Sequence, residues 1–282
     1  MSSSEARSVV MPGATAGRRR RTPVPVRLAR SARVTAHVVG GLATTVFVFP
    51  WIGPPRKQVL IRRWSRQLLH MLSIETSVHW RHDDGLPGNL LIVANHISWL
   101  DIFVLNALQP SRFIAKADLR RLPVVGRLIA NVGTLFIDRE RRRDTHKVNR
   151  HTVEALERGD VVAVFPEGTT SDGRGLLHFH SSLLQPIVDA EGHVQPIAIR
   201  YRTLAGEHCE APAYVGELTL LESFWRVTGE RRLVAELHLM PPLPAQARHR
   251  RELSAAAAAA IRTALESPAV APAPDRRGDP RA

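Results

Sequence analysis

The 282-residue chain has room for one sizeable catalytic domain with appendages, and its 44% apolar content is ordinary for a protein that buries a core. A lone cysteine, Cys209, excludes a disulfide framework and a cysteine-built metal site. The net charge of +13 is almost wholly arginine, because Lys57, Lys116 and Lys147 are the only lysines; aromatics at 5%, without basic–aromatic interleaving, argue against a specific nucleic-acid binder.

The charge is uneven. Arg7, Arg18, Arg19, Arg20, Arg21, Arg27, Arg30 and Arg33 face a single acid, Glu5, in the first 33 residues. Residues 1–30 read as a disordered basic arm suited to an anionic membrane surface, nucleic acid or an acidic protein. Val34 to Ile52 then carries no formal charge, and at about 1.5 Å per residue it falls just short of a ~30 Å hydrocarbon core. A transmembrane or half-inserted helix, a buried soluble helix and a cleaved signal sequence all fit it. Pro50 and Gly53-Pro54-Pro55 break it. Lys57 to Ile74 places Val59, Leu60, Trp64, Leu68, Met71 and Leu72 near helical spacing, with Arg62, Arg63 and Arg66 on other faces, as in an interfacial helix. Residues 31–75 therefore read as a membrane-associated helical hairpin, or as two ordinary helices covering a core.

Residues 76–267 alternate short apolar runs with helical stretches. Strands are expected at Leu90–Ala94, Arg112–Lys116, Thr134–Asp138, Val161–Phe165, Gln195–Tyr201, Ala213–Val215 and Leu233–Met240. Helices are expected at Ser98–Leu108, Val124–Val132, Arg141–Arg158, Leu177–Ala190 and His249–Leu265, the last peripheral because its alanine run buries little surface. The pattern implies an α/β domain with a mixed, largely parallel sheet flanked by helices. Residues 268–282 read as a disordered Pro-rich tail.

Three segments carry chemistry. In Ala94-Asn95-His96-Ile97-Ser98-Trp99-Leu100-Asp101, His96 falls in a strand-to-helix turn, with Asp101 close enough in sequence to fold back onto one imidazole nitrogen. The other nitrogen could then take a proton from a hydroxyl; equally, Ser98 and Asp101 could form no more than a helix cap. In Val161–Ser171 an apolar strand runs into Pro166-Glu167-Gly168 and then Thr169, Thr170 and Ser171, which suits a polar head group or only a strand-ending turn. Gly133–Arg139 closes a strand on Asp138-Arg139, and Lys116 ends another; either cation suits an anion.

Asn-His-x-Ser-x-x-Asp, Gly-x-x-Phe-Ile-Asp-Arg, Phe-Pro-Glu-Gly-Thr and Pro-Ile-Ala-Ile, in this order over residues 88–201, resemble the glycerolipid acyltransferase family, most nearly its bacterial lysophosphatidate acyltransferases. The resemblance implies acyl transfer from an acyl thioester, acyl-ACP or acyl-CoA, to the sn-2 hydroxyl of 1-acylglycerol-3-phosphate, without an acyl-enzyme. It implies His96 as base and Asp101 as its orienting partner. Asn95, Ser98, Lys116, Arg139, Glu167, Gly168 and Thr169 would bind the acceptor or shape its pocket. No metal or cofactor is implied. The implied place is the inner membrane, with the catalytic domain facing the cytoplasm. One departure stands out: many relatives carry Phe-Lys-x-Gly where this chain has Phe179-His180-Ser181-Ser182. That leaves lyso-ornithine lipid or another lysophospholipid as an alternative acceptor. A noncatalytic basic membrane-binding protein and a thioesterase-like hydrolase are the readings of other classes.

Overall fold

The computed structural model describes residues 21–81, 86–121, 125–137 and 142–267. The chain begins with two long helices, α1 (Val24–Phe47) and α2 (Pro54–Met71), then alternates strands and helices. These are β1 (Ile74–Trp80), β2 (Leu90–Ala94), α3 (Asp101–Leu108), β3 (Arg112–Lys116), α4 (Val125–Asn131), β4 (Leu135–Ile137), α5 (Arg142–Glu157) and β5 (Val162–Val164), followed by α6 (Gln185–Asp189), β6 (His193–Arg202), α7 (Leu220–Gly229), β7 (Leu233–Leu239), β8 (Leu243–Pro244) and α8 (Arg250–Glu266).

The strands form one sheet in the order β1-β7-β6-β2-β5-β3-β4, with β8 paired to β6. From β6 to β4 every neighbouring pair is parallel, while β7 meets β6 antiparallel and β1 meets β7 parallel. A parallel sheet must be covered on both faces, and its central strands show it: all five residues of β2 are buried. Ile92, Ile197, Ile199 and Leu237 pack towards Leu68, Leu69, Val104 and Leu105 of α2 and α3. Leu91, Val93, Val164 and Ala198 pack towards Ala155 and Leu156 of α5 and Leu253, Ala257 and Ile261 of α8. The mixed, largely parallel α/β architecture is thus as the alternation implies.

Several expectations need correction. The arm expected to be disordered through residue 30 is helical from Val24, and its last arginines are structural. Arg27 lies 3.7 Å over the Trp225 ring, and Arg30 donates to the carbonyl oxygens of Glu230 at 2.7 Å and Thr228 at 3.3 Å. Thr22 donates its main-chain N–H to Gly229 at 2.9 Å. The carbonyls that end α7 are a natural seat for guanidinium groups. The sheet starts at Ile74, two residues before the expected boundary. Ala213–Val215 is a loop, since the Tyr214 N–H is taken by the Ile97 carbonyl at 2.9 Å. Leu177–Ala190 is no single helix: a 3₁₀ turn over Ser181–Leu184 leads into the short α6. The alanines make α8 a sheet-covering helix, because small side chains let it lie close on β6. Residues 1–20 of the expected arm and the 268–282 tail lie outside the described residues.

The segment from Val24 to Trp51 is long and apolar enough to cross a membrane, with 22% of its most apolar window buried. Its buried positions, among them Val34, Gly41 and Thr45, fall on the side facing the domain. Val39, Val46, Phe47 and Trp51 stay exposed. At mid-length His37 and Trp64 of α2 stack at 4.8 Å and exchange hydrogen bonds: His37 Nε2 with the Trp64 carbonyl at 3.0 Å, Trp64 Nε1 with the His37 carbonyl at 3.2 Å. Gly41 makes this approach possible, because a Cβ there would lie 2.5 Å from Trp64 Nε1. Gly41→Val is expected to lower stability by about 1–3 kcal/mol through overpacking, more than the roughly 0.4 kcal/mol of helix propensity that valine regains over glycine. Thermal unfolding of the detergent-solubilised protein measures it; an unchanged midpoint would contradict the packing described.

Candidate active site

The site forms where β2 stops. Asn95, fully buried, continues the β2–β6 ladder with its side chain: Nδ2 donates to the Ile199 carbonyl at 3.0 Å and Oδ1 accepts the Ile199 N–H at 2.7 Å. The chain then turns, leaving N–H groups that no strand can take. Asp101, in the first turn of α3 and fully buried, collects them. Its Oδ2 accepts from Ile97 N–H at 2.7 Å, Ser98 N–H at 2.9 Å and His96 Nδ1 at 2.8 Å, and its Oδ1 accepts from the Tyr201 hydroxyl at 2.7 Å. A buried carboxylate lacking such donors would cost several kcal/mol. An oxygen already accepting two main-chain N–H groups can only accept from the imidazole as well. The His96 proton therefore sits on Nδ1, and Nε2 is left with its lone pair.

Every other degree of freedom of His96 is also taken. Its ring lies on Phe165 at 4.0 Å and 11°. Its N–H donates to Glu167 Oε1 at 2.7 Å, and its carbonyl accepts from Ser171 N–H at 2.8 Å. Because β2 and β5 are parallel, Glu167 does arrive at the same sheet end as His96. Its second oxygen accepts Leu177 N–H at 2.9 Å, so one carboxylate joins two loops. Gly168 closes this turn at φ 70, in the left-handed region, and donates its N–H to the Phe165 carbonyl at 3.1 Å. The His96 side chain keeps 20% of its surface open. Among the described residues none bonds Nε2.

The expected site residues thus divide. His96 and Asp101 meet as a dyad. Asn95, Ser98 and Glu167 were expected to bind substrate, and they are buried at 0%, 0% and 4% exposure with side chains spent on the protein itself. Those bonds hold the turn together. Ser98 caps no helix; its hydroxyl accepts Leu100 N–H at 3.3 Å, and α3 begins only at Asp101. Thr169 is exposed beside the partly exposed Gly168. Lys116 is exposed at the end of β3, opposite Ile137, and the parallel register carries it to the sheet end that holds His96. Arg139 lies outside the described residues. Tyr201 went unnamed as a site residue, although the alternation Ile197, Ile199, Tyr201 puts its hydroxyl on an otherwise apolar face. Burial, then the charge of Asp101, pushes that phenol well above its ordinary value, so it stays a donor.

An apolar cleft opens between the α1–α2 pair and the domain, lined by Phe49, Leu60, Trp64, Phe103, Phe113 and Leu128. Phe113 also stacks on Phe165 at 5.9 Å, linking the cleft wall to the His96 ring. Among the described residues no group of three or more His, Cys, Asp or Glu is placed to hold a metal; His178 and His180 meet only edge to face, at 5.6 Å.

A buried acid thus holds a partly open imidazole at the carboxyl end of parallel strands, and the Phe165–Phe113 stack links that ring to the wall of an apolar cleft. Comparison with known proteins gives the family. The family model described as Acyltransferase matches residues 77–200. The lyso-ornithine lipid O-acyltransferase of Pseudomonas aeruginosa is 37% identical over 256 residues, covering 89% of this chain and 97% of that one. The 1-acyl-sn-glycerol-3-phosphate acyltransferases of Neisseria gonorrhoeae and Neisseria meningitidis are 41% and 42% identical over 54% and 52% of this chain; the match spans only 59% and 57% of their own lengths. The crystal structure of the 1-acyl-sn-glycerophosphate (LPA) acyltransferase PlsC from Thermotoga maritima superposes with a TM-score of 0.66 at 21% identity, over 86% of this chain and 94% of that one. This chain belongs to the acyltransferase family.

Glu167 gives a pH test of the turn. Burial holds its carboxyl above the ordinary value, against the opposing pull of the His96 and Leu177 N–H groups. A raised folded-state value means that the folded protein binds more protons than the unfolded one just above the ordinary glutamate range. The contribution to stability is full below that range and is lost as pH rises through the raised value. Glu167→Gln abolishes this slope, so the wild type should lose stability relative to the variant as pH rises through that window, on top of a constant offset of about 1–3 kcal/mol for the broken bridge. Urea unfolding at stepped pH measures it, and a difference independent of pH would contradict the assignment.

Proposed function

We propose that this protein transfers a fatty acyl group from an acyl thioester to the sn-2 hydroxyl of 1-acylglycerol-3-phosphate, giving phosphatidate, with His96 as general base. The observation that carries this is the His96–Asp101 pair at 2.8 Å, which leaves Nε2 without a partner among the described residues, on a ring joined through Phe165 and Phe113 to the apolar cleft. The acceptor hydroxyl gives its proton to Nε2 while its oxygen attacks the thioester carbonyl. The tetrahedral intermediate collapses with cleavage of the C–S bond, and the departing sulfur takes the proton back from Nε2. Asp101 stabilises the imidazolium in between without taking its proton. No metal or bound cofactor enters; acyl-ACP or acyl-CoA is a co-substrate.

Lys116 and Arg139 would hold the acceptor's phosphate, with Gly168 and Thr169 shaping the approach. The apolar cleft suits an acyl chain. The exposed Val39, Val46, Phe47 and Trp51 would rest in a membrane surface, with the catalytic domain on the cytoplasmic side of the inner membrane, where acyl thioesters are available.

A second acceptor, lyso-ornithine lipid, is favoured by two observations. The Pseudomonas aeruginosa lyso-ornithine lipid O-acyltransferase aligns over 97% of its length, and the lysine of the Phe-Lys-x-Gly pattern is here the exposed His180.

The test is acyl transfer by the detergent-solubilised protein, offered labelled acyl-CoA or acyl-ACP with either lysolipid. Product from lysophosphatidate is expected, with His96→Ala slower by roughly 10²–10⁴-fold. Asp101→Asn is expected to fall comparably, because an amide in that place disturbs the tautomer. Product from lyso-ornithine lipid alone would move the acceptor to the second reading. An unimpaired His96→Ala would remove the proposed base.

A further inference from the structure

Tyr201 stands on β6, two residues beyond the Ile199 that Asn95 clamps, and is 1% exposed. Its neighbours on that face are apolar, including Ile197, Ile199, Ala235 and Leu237. Packing alone would be served by phenylalanine, which fills nearly the same volume without a buried hydroxyl to satisfy. Among the described residues the hydroxyl has one partner, Asp101 Oδ1, to which it donates at 2.7 Å. The other oxygen of that carboxylate carries three donors. Without Tyr201, Oδ1 would be buried with no donor among the described residues, and only the bonds to Oδ2 would hold the carboxylate's rotation.

We infer that Tyr201 is a positioning residue for acyl transfer, whose hydroxyl fixes the rotation of the Asp101 carboxylate and draws negative charge from Oδ2 towards Oδ1. The inference rests on the reading of His96 as general base. Fixing the rotation keeps Oδ2 aligned with His96 Nδ1. Drawing charge from Oδ2 weakens the stabilisation that Asp101 gives an imidazolium formed during transfer, relative to a carboxylate without the phenol. The ionisable groups that face the pair are Glu167 from the turn after β5, bound to the His96 N–H, and Tyr201 itself from β6.

The test uses the full chain in detergent, with kcat, KM and the pH profile of kcat/KM measured for wild type, Tyr201→Phe and His96→Ala. Tyr201→Phe is expected to lower kcat about tenfold with KM nearly unchanged. It should also move the acid limb of the profile to higher pH, because charge returned to Oδ2 stabilises the imidazolium. The chain has two tyrosines, so biosynthetic 3-fluorotyrosine in a Tyr214→Phe background alters Tyr201 alone. Its more acidic hydroxyl donates more strongly and should move the limb the opposite way, relative to the same background without fluorine. A lost fold produces no such pair of opposite shifts. Wild-type kcat and an unmoved limb in Tyr201→Phe, with His96→Ala inactive, would overturn this inference and leave the base assignment standing. So would a loss of rate that only tracks lost thermal stability, with the limb in place. Full activity in His96→Ala would instead overturn the reading on which the inference depends.

Discussion

The structure turns on one buried carboxylate. Asp101 has no exposed surface, and four donors from two segments converge on it: two main-chain N–H groups and an imidazole of the turn after β2, and a phenol on β6. Each hydrogen bond to a charged group contributes about 1.5–3 kcal/mol, and removing any donor leaves part of a charge unsatisfied in the interior. The requirement that Asp101 be satisfied therefore shapes the turn, sets the imidazole tautomer and ties both to the neighbouring strand. Glu167 repeats the device from the other side by joining His96 to the loop that follows β5. Two acids thus hold one histidine by its ring and its main chain.

Around this centre the fold supplies access. Parallel strands bring the ends of β2, β5 and β3 to one edge, so the His96 turn, the Glu167-Gly168 turn and Lys116 share it. The α1–α2 pair lies against the same domain and forms a wall of the apolar cleft. It is held at one end by arginines on the α7 carbonyls and at its middle by the His37–Trp64 exchange. The exposed apolar side chains of α1 and the apolar cleft lie on either side of this helix pair, and Phe113 ties the cleft wall through Phe165 to the imidazole.

Much of this was legible in the sequence because it is local. Leu90–Ala94 and Arg112–Lys116 are strands with the bounds their composition implies, and the spacing from His96 to Asp101 suffices to expect the pair. What escaped depends on distant partners. β1 is a mostly polar edge strand, Ile-Glu-Thr-Ser-Val-His-Trp, whose strand partner is the distant β7. α7 is short, and its capping box, Thr219 with Glu222, is the one signal that could have marked it. Asn95, Ser98 and Glu167 sit inside functional motifs, so their residue types suggest ligand contact. Only the structure reveals that their polar atoms are spent on the Ile199, Leu100, His96 and Leu177 backbone. Tyr201 was legible as part of a strand but not as a partner of Asp101, because 100 residues separate them.

The central claim is that Asp101 holds the His96 proton on Nδ1 and leaves Nε2 as the base. Nitrogen-15 NMR of the histidine-labelled protein in detergent reads this directly, with the His96 resonances among the 13 histidines assigned by their loss in His96→Gln. At a pH where the imidazole is neutral, the account predicts a protonated-type shift for Nδ1, coupled to a strongly downfield proton, and an unprotonated-type shift for Nε2. The reverse tautomer, with the proton on Nε2, would contradict it.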